Sequence, residues 1–223
     1  AKGFADYVYP PEKNVYKVSE KLDLRTAALA EPLSCVIHGL DLIQIQSGAS
    51  VVIYGLGSIG SLMVQMVKRA GAAKIIAVER EPEKQKLAVK LGADTAVDDR
   101  KILELAKECN IDVVIECIGL KSTMEQAVKI AGKNAKVLLF GLGDPEQPIE
   151  INQFEAYTKE LSIYTSYLNP QTTKRAVAVL ESGAIDAQSI ISAELELEEM
   201  GQELETQKHS KTGKVMVRLS GKH

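Results

Sequence analysis

The sequence predicts an α/β protein built on a doubly wound, six-stranded parallel sheet. Three observations predict it. Between residues 50 and 140, short β-branched apolar runs alternate with stretches of helical periodicity. Glycines stand where those helices should stop. The first apolar run leads straight into the glycine-rich hexapeptide Gly55-Leu56-Gly57-Ser58-Ile59-Gly60. Strands separated by helices require crossover connections, and therefore parallel pairing with right-handed winding.

Ser50–Tyr54 (SVVIY) reads as a strand buried on both faces. Ile59–Ala70 carries apolar residues at Ile59, Leu62, Met63, Met66, Val67 and Ala70, one face of a helix, with Lys68 and Arg69 in its last turn and Gly71 after it. Lys74–Glu79 is a second strand. Pro82–Leu91 is a second helix, with Pro82 in its first turn and Gly92 as terminator. Thr95–Val97 is a third strand, Ile102–Cys109 a helix, and Asp112–Cys117 a fourth strand. Ser122–Ala131 is a helix for which Ser122 or Thr123 is available as the cap. Lys136–Phe140 is a fifth strand, ending at Gly141. Asn152–Thr158 reads as a short helix, Leu161–Tyr167 as a sixth strand at the sheet edge, and Pro170–Ser182 as a helix stopped by Gly183. The Glu-rich stretch 194–205 reads as a solvated helix and Lys214–Leu219 as a closing strand. Residues 1–9 are strand-like and lack an initiator Met, which points to a chain with its front removed.

With 223 residues, 45% of them hydrophobic, the chain can bury a substantial core. A net charge of -3 and scattered lysines argue against nucleic acid or an anionic membrane as partner. No apolar run approaches the ~18 residues that span a bilayer, and no signal peptide opens the chain. Three cysteines without C-x-x-C spacing indicate a reducing, cytoplasmic compartment rather than a disulfide framework.

The hexapeptide carries the chemistry. In a dinucleotide-binding Rossmann unit, the first glycine permits the tight turn. The second lets a pyrophosphate approach the backbone, and the third lets helix and strand pack closely. That assigns these roles to Gly55, Gly57 and Gly60, with Leu56, Ser58 and Ile59 between them and the phosphates at the positive end of the following helix. Glu79, 19 residues after Gly60, ends the second strand, where a carboxylate can accept both ribose hydroxyls and repel a 2′-phosphate. Arg80 follows it. It reads as a solvated surface charge, with the alternative that it serves a 2′-phosphate. NAD is thus favoured over NADP. Cys117-Ile118-Gly119 and Phe140-Gly141-Leu142 end the fourth and fifth strands, where such sheets bind ligands, and their backbone is placed to hold the nicotinamide end.

The segments GFADYV (3–8), AEPLS (30–34), the glycine turn with its preceding strand, and KLGAD (90–94) resemble the zinc-containing medium-chain dehydrogenases, nearest to the polyol, sorbitol and threonine branch. The resemblance runs over essentially the whole chain. It implies hydride transfer between an alcohol or polyol and NAD, with a catalytic zinc polarising the alcohol oxygen, and a homodimer or homotetramer formed through the sheet edge. It divides the chain into a catalytic-domain remnant (1–32), a cofactor domain (33–188) and a second remnant (189–223). Of the metal ligands the resemblance implies, only Glu31 is in place. It reads equally well as a helix-entry carboxylate, and a catalytic zinc needs three protein ligands, so zinc is expected in the longer family member rather than on this chain. The three histidines, His38, His209 and His223, lie far apart and have no ligand spacing. Three functions stay open: an NAD-dependent alcohol or polyol dehydrogenase, a dinucleotide-binding module without catalysis, and, disfavoured by Glu31, a zinc-free reductase of the quinone reductase type.

Overall fold

The computed structural model describes Ala5 and residues 7–219. Most of the strand-like reading at residues 1–9, along with His223, lies outside the described residues, and Tyr7–Tyr9 form no strand.

Six strands form one sheet: β1 (Ser50–Tyr54), β2 (Lys74–Val78), β3 (Thr95–Val97), β4 (Val113–Glu116), β5 (Lys136–Leu139) and β6 (Ser162–Thr165). Their order is β3-β2-β1-β4-β5-β6, and every pairing is parallel. The order reverses between β1 and β4, which opens a crevice at the carboxyl ends of those two strands.

Alternate residues of the central strands feed two apolar layers. Val51, Ile53, Ile75, Ala77 and Ile115 face helices α2 (Ala30–Ile43), α3 (Ser58–Arg69) and α8 (Thr173–Glu181). Val52, Tyr54, Ile76, Val78 and Val114 face α5 (Lys101–Glu108) and α6 (Lys121–Ile130). Both faces are covered, which is why these strands are apolar runs instead of alternating patterns. The helix α4 (Pro82–Lys90) joins β2 to β3 and buries Ala88.

α2 precedes β1 in sequence but packs on elements that come much later. Its stripe Leu33, Val36 and Ile37 is buried against the layer that holds Ala176 and Leu180 of α8. The Thr172 hydroxyl donates to the Ser34 carbonyl at 2.8 Å, the Asn169 amide donates to the Ser34 hydroxyl at 2.5 Å, and Arg175 pairs with Asp41. A short helix, α1 (Leu24–Ala27), leads into it and is capped by Asp23.

Two readings from the sequence need correction. Neither Ser122 nor Thr123 caps α6. The helix begins at Lys121 with Leu120 at the cap, and the Thr123 hydroxyl instead reaches Glu116 Oε1 at 2.7 Å. The stretch 194–205 is not one helix. Its first residues belong to β7 (Ile191–Glu196), followed by a 3-10 turn (Leu197–Glu199) and α9 (Met200–Thr206). A capping box between Glu196 and Glu199 opens that turn, and β7 gains hydrogen-bond partners from β8 (Lys214–Arg218) in a separate two-stranded parallel sheet. The short helix expected near residue 152 is α7 (Gln153–Lys159), capped by the Asn152 side chain. The short helix α1 meets the two-stranded sheet: Arg25 Nε lies 3.0 Å from Glu194 Oε2, and Arg218 engages the same carboxylate at Oε1. β6 lies at the sheet edge, as its sequence position predicts.

Candidate functional site

β1 delivers the glycine turn to the crevice. Gly55 sits at φ +84°, in the left-handed region open to glycine, and turns the chain out of the strand. Gly57 then occupies the N-cap of α3, and having no side chain it leaves the first amides of the helix without a cap. Within the described residues, the first backbone bond of α3 runs from the Ser61 N–H to the Gly57 carbonyl. The amides of Ser58, Ile59 and Gly60 therefore point forward without a protein acceptor, at the positive end of the helix dipole. A Cβ at Gly57 would meet nothing within 4 Å, so the space in front of this backbone is open.

The glycine turn lines a cleft of about 460 Å³, within the usual range for a small-molecule site. Gly55, Leu56, Gly57, Ser58, Ile59, Gly60, Glu79, Arg80, Cys117 and Ile118 all line it, so the structure gathers most of the sequence-predicted residues in one place. Glu79 stands just beyond the end of β2. One carboxylate oxygen accepts the Leu56 N–H at 3.0 Å, and the other accepts those of Arg80 at 2.7 Å and Glu81 at 3.2 Å. Glu79 therefore ties the end of β2 to the turn after β1. Arg80 reaches across the lip to Asp99, Nη2 to Oδ2 at 2.8 Å.

Phe140, Gly141 and Leu142 line a second, adjoining cleft of about 640 Å³ together with Glu31, Pro32 and Cys35. Ser58 and Ile59 border both clefts. Gly119 lines neither cleft; its φ of +89° and its closeness to the backbone of Leu142 leave no room for a side chain there.

Glu116 holds the two walls in register. It is fully buried and ends β4. Its Oε1 accepts the N–H groups of Ile118 and Gly119 at 2.9 and 3.0 Å and the Thr123 hydroxyl at 2.7 Å. Its carbonyl accepts the N–H groups of Phe140 and Gly141, each at 2.9 Å. Tyr54, its neighbour across β1 and β4, is fully buried at the floor of the first cleft, and its hydroxyl has no hydrogen-bond partner. Burial, then the charges of Asp99 and Glu116, raise the phenol well above its ordinary pKa. Sequence reasoning missed Tyr54, Asp99, Glu116 and Thr123. The rule that ligands sit at strand carboxyl ends points to the first three, at the ends of β1, β3 and β4.

Glu31 lies in the first turn of α2, and its Oε1 lies 3.5 Å from the Cys35 sulfur one turn on. Burial, then the neighbouring Glu31 charge, push the Cys35 thiol up to about 11. No group of three metal-binding side chains occurs among the described residues. One carboxylate and one thiol do not make a zinc centre, which takes three or four protein ligands. Burial, then Glu116, raises the Cys117 thiol as well.

The strand order and the glycine turn together define a Rossmann domain. A family model described as zinc-binding dehydrogenase matches residues 58–182, more than half of the chain, and the chain belongs to that family. Among curated proteins it is 32% identical to an erythritol/L-threitol dehydrogenase of Mycolicibacterium smegmatis, over 96% of this chain and 59% of that protein. It is 29% identical to an L-threonine 3-dehydrogenase of Bacillus velezensis, over 97% of this chain and 65% of that protein. Among solved structures, a chain described as a zinc-binding dehydrogenase from Sinorhizobium meliloti, bound to NADP, superposes with a TM-score of 0.92 at 32% identity, covering 97% of this chain and 66% of that one. A short chain alcohol dehydrogenase from Escherichia coli, complexed with NADH, gives 0.86 at 26% identity, covering 94% and 64%. The chain thus spans about 60% of the length of the curated relatives it matches.

Proposed function

We propose that this chain is the cofactor-binding part of an NAD-dependent alcohol or polyol dehydrogenase. The observation that carries the reading is the uncapped start of α3 behind Gly57, open toward a cleft that Glu79 closes at one end. The amides of Ser58, Ile59 and Gly60 would hold the pyrophosphate, with the helix dipole opposing its charge. Glu79 would accept ribose hydroxyls, exchanging its bonds to the backbone for them. Ile118 and Gly119, then Gly141 and Leu142, would flank the nicotinamide as the ligand passes from the first cleft to the second. When bound, that ring supplies a hydride acceptor. The chain's own part is to fix the ring against the second cleft and to exclude water from its apolar wall of Ile59, Leu139 and Phe140.

An alcohol or polyol substrate is supported by the activities named for the relatives. Association into a homodimer or homotetramer through β6 is supported by its place at the sheet edge, where strand pairing with a second copy is available. The free thiols of Cys35, Cys109 and Cys117 support a cytoplasmic setting. Among the described residues, no helix is long and apolar enough to cross a membrane.

A second reading, dinucleotide binding without turnover by this chain, is favoured by the donor set at Glu31 and Cys35, which is too small for a catalytic zinc. Calorimetry with NADH is the test of binding. One saturable site per chain is expected, and the absence of binding heat at millimolar ligand would sink the reading. NAD reduction with a polyol, abolished by a chelator, separates the dehydrogenase from the bare module.

A further inference from the structure

We propose that Asp99 is a specificity-determining residue for the cofactor: it ties up Arg80 and so keeps that arginine from a ribose 2′-phosphate. The inference rests on the dinucleotide reading of the cleft. It concerns the one point on which the neighbouring residues disagree, since Glu79 argues for NAD while an arginine directly after it is the usual way to accept NADP.

The charged groups at this end of the cleft are Glu79, Arg80, Lys84 and Asp99, with Glu81 beside them. Glu79 is fixed by three backbone amides. The two cations are each matched to a carboxylate. Arg80 Nη2 lies 2.8 Å from Asp99 Oδ2, and Lys84 Nζ lies 2.9 Å from Glu81 Oε1. A 2′-phosphate entering beside Glu79 would bring close to two negative charges into a rim where both cations are already neutralised.

Asp99 is well placed to do this because the loop after β3 holds it. Its own carbonyl accepts the Gln126 side-chain amide at 3.1 Å. The preceding Asp98 accepts the N–H groups of Arg100 and Lys101 at 3.0 and 2.8 Å, which fixes the chain as it enters α5. The backbone that carries the Asp99 carboxylate is thus anchored, whereas the Arg80 side chain is 72% exposed. What decides the cofactor is which anion the exposed guanidinium meets first, the resident carboxylate or an incoming phosphate. An exposed pair of this kind is weak enough to compete with, so the preference it creates is adjustable by a single substitution.

The test measures binding of ADP-ribose and 2′-phospho-ADP-ribose by calorimetry at low ionic strength, where charge effects are least screened. These probes lack the nicotinamide and so report only on this end of the cleft. The wild-type chain is expected to favour ADP-ribose. Asp99→Asn, an isosteric change at a half-exposed position, is expected to tighten 2′-phospho-ADP-ribose about fivefold, the upper range for freeing one exposed ion-pair partner, and to leave ADP-ribose within twofold. Adding Arg80→Ala to Asp99→Asn should erase the gain. An unchanged ratio in Asp99→Asn, a gain that survives loss of Arg80, or a wild-type preference for the phosphorylated probe each overturns the inference while leaving the dinucleotide site standing. Failure of the wild type to bind either probe overturns the dinucleotide reading, and this inference with it.

Discussion

A Cβ added to Gly60 would collide with the carbonyl group of Gly55, coming 2.8 Å from its carbon and closer still to its oxygen. The obstacle is main chain at the tightest point of the turn, and it cannot swing aside. Gly60→Ala is therefore expected to destabilise the fold by about 2 kcal/mol or more, as overpacking against a fixed neighbour does. Urea unfolding monitored by circular dichroism is the check, and an unchanged midpoint would contradict the close packing of β1 on α3.

Gly57 is expected to behave in the opposite way. Nothing lies within 4 Å of its missing Cβ, and its φ of -70° is open to any residue. Gly57→Val should cost the free chain no more than about 1 kcal/mol, the usual penalty for a poor N-cap. Its branched side chain should nonetheless lower NADH affinity at least tenfold, about 1.4 kcal/mol. Thermal melting and calorimetry on the same sample separate the two effects, and a loss of only a few-fold in affinity would count against the phosphate role.

Glu116 supports a third prediction. Glu116→Ala leaves the Ile118 and Gly119 amides and the Thr123 hydroxyl without their acceptor in a buried setting. A loss of about 3 kcal/mol is expected, with faster hydrogen exchange at 118 and 119. Glu116→Gln can present a carbonyl oxygen at the Oε1 position and should lose less. Equal losses in the two variants would mean that the charge, not the acceptor geometry, matters.

Acid should loosen the C-terminal sheet first. Burial opposes the charge on Glu203, but the Ser210 N–H, the His209 ring and the His209 N–H all bind it and hold the carboxyl at about 2. Its folded pKa lies below the unfolded value, so the stabilisation is complete above about pH 5 and fades as pH falls toward 2. Hydrogen exchange across 191–218 should accelerate in that window while the six-stranded sheet holds. The acceleration should be missing from Glu203→Gln, which starts already loosened.

The sequence carried the central sheet clearly because every strand from β1 to β5 is an apolar run between punctuating residues, and the glycine turn is local in sequence. β7 was hidden by its glutamates: it is a half-exposed strand whose partner β8 lies about twenty residues on, so its pairing outweighs local propensity. Leu120 replaced Ser122 and Thr123 as the cap of α6 because the Thr123 hydroxyl is drawn to Glu116. Of the site, the residues adjacent to the glycine turn were legible. Tyr54, Asp99 and Glu116 were not, since their meaning depends on parallel register between strands. Tyr54 and Glu116 sit side by side although they lie 62 positions apart.

The position of α2 has a consequence during synthesis. Its stripe of Leu33, Val36 and Ile37 is made before β1, whereas Ala176 and Leu180, which cover it, are made about 140 residues later. At about 5–20 residues per second, that leaves the stripe uncovered by α8 for roughly 7–28 seconds on the ribosome. Nascent chains stalled near residue 165 are expected to be cut within 30–43 by a protease that spares the finished protein. The growing chain thus has to shelter α2 until α8 has emerged.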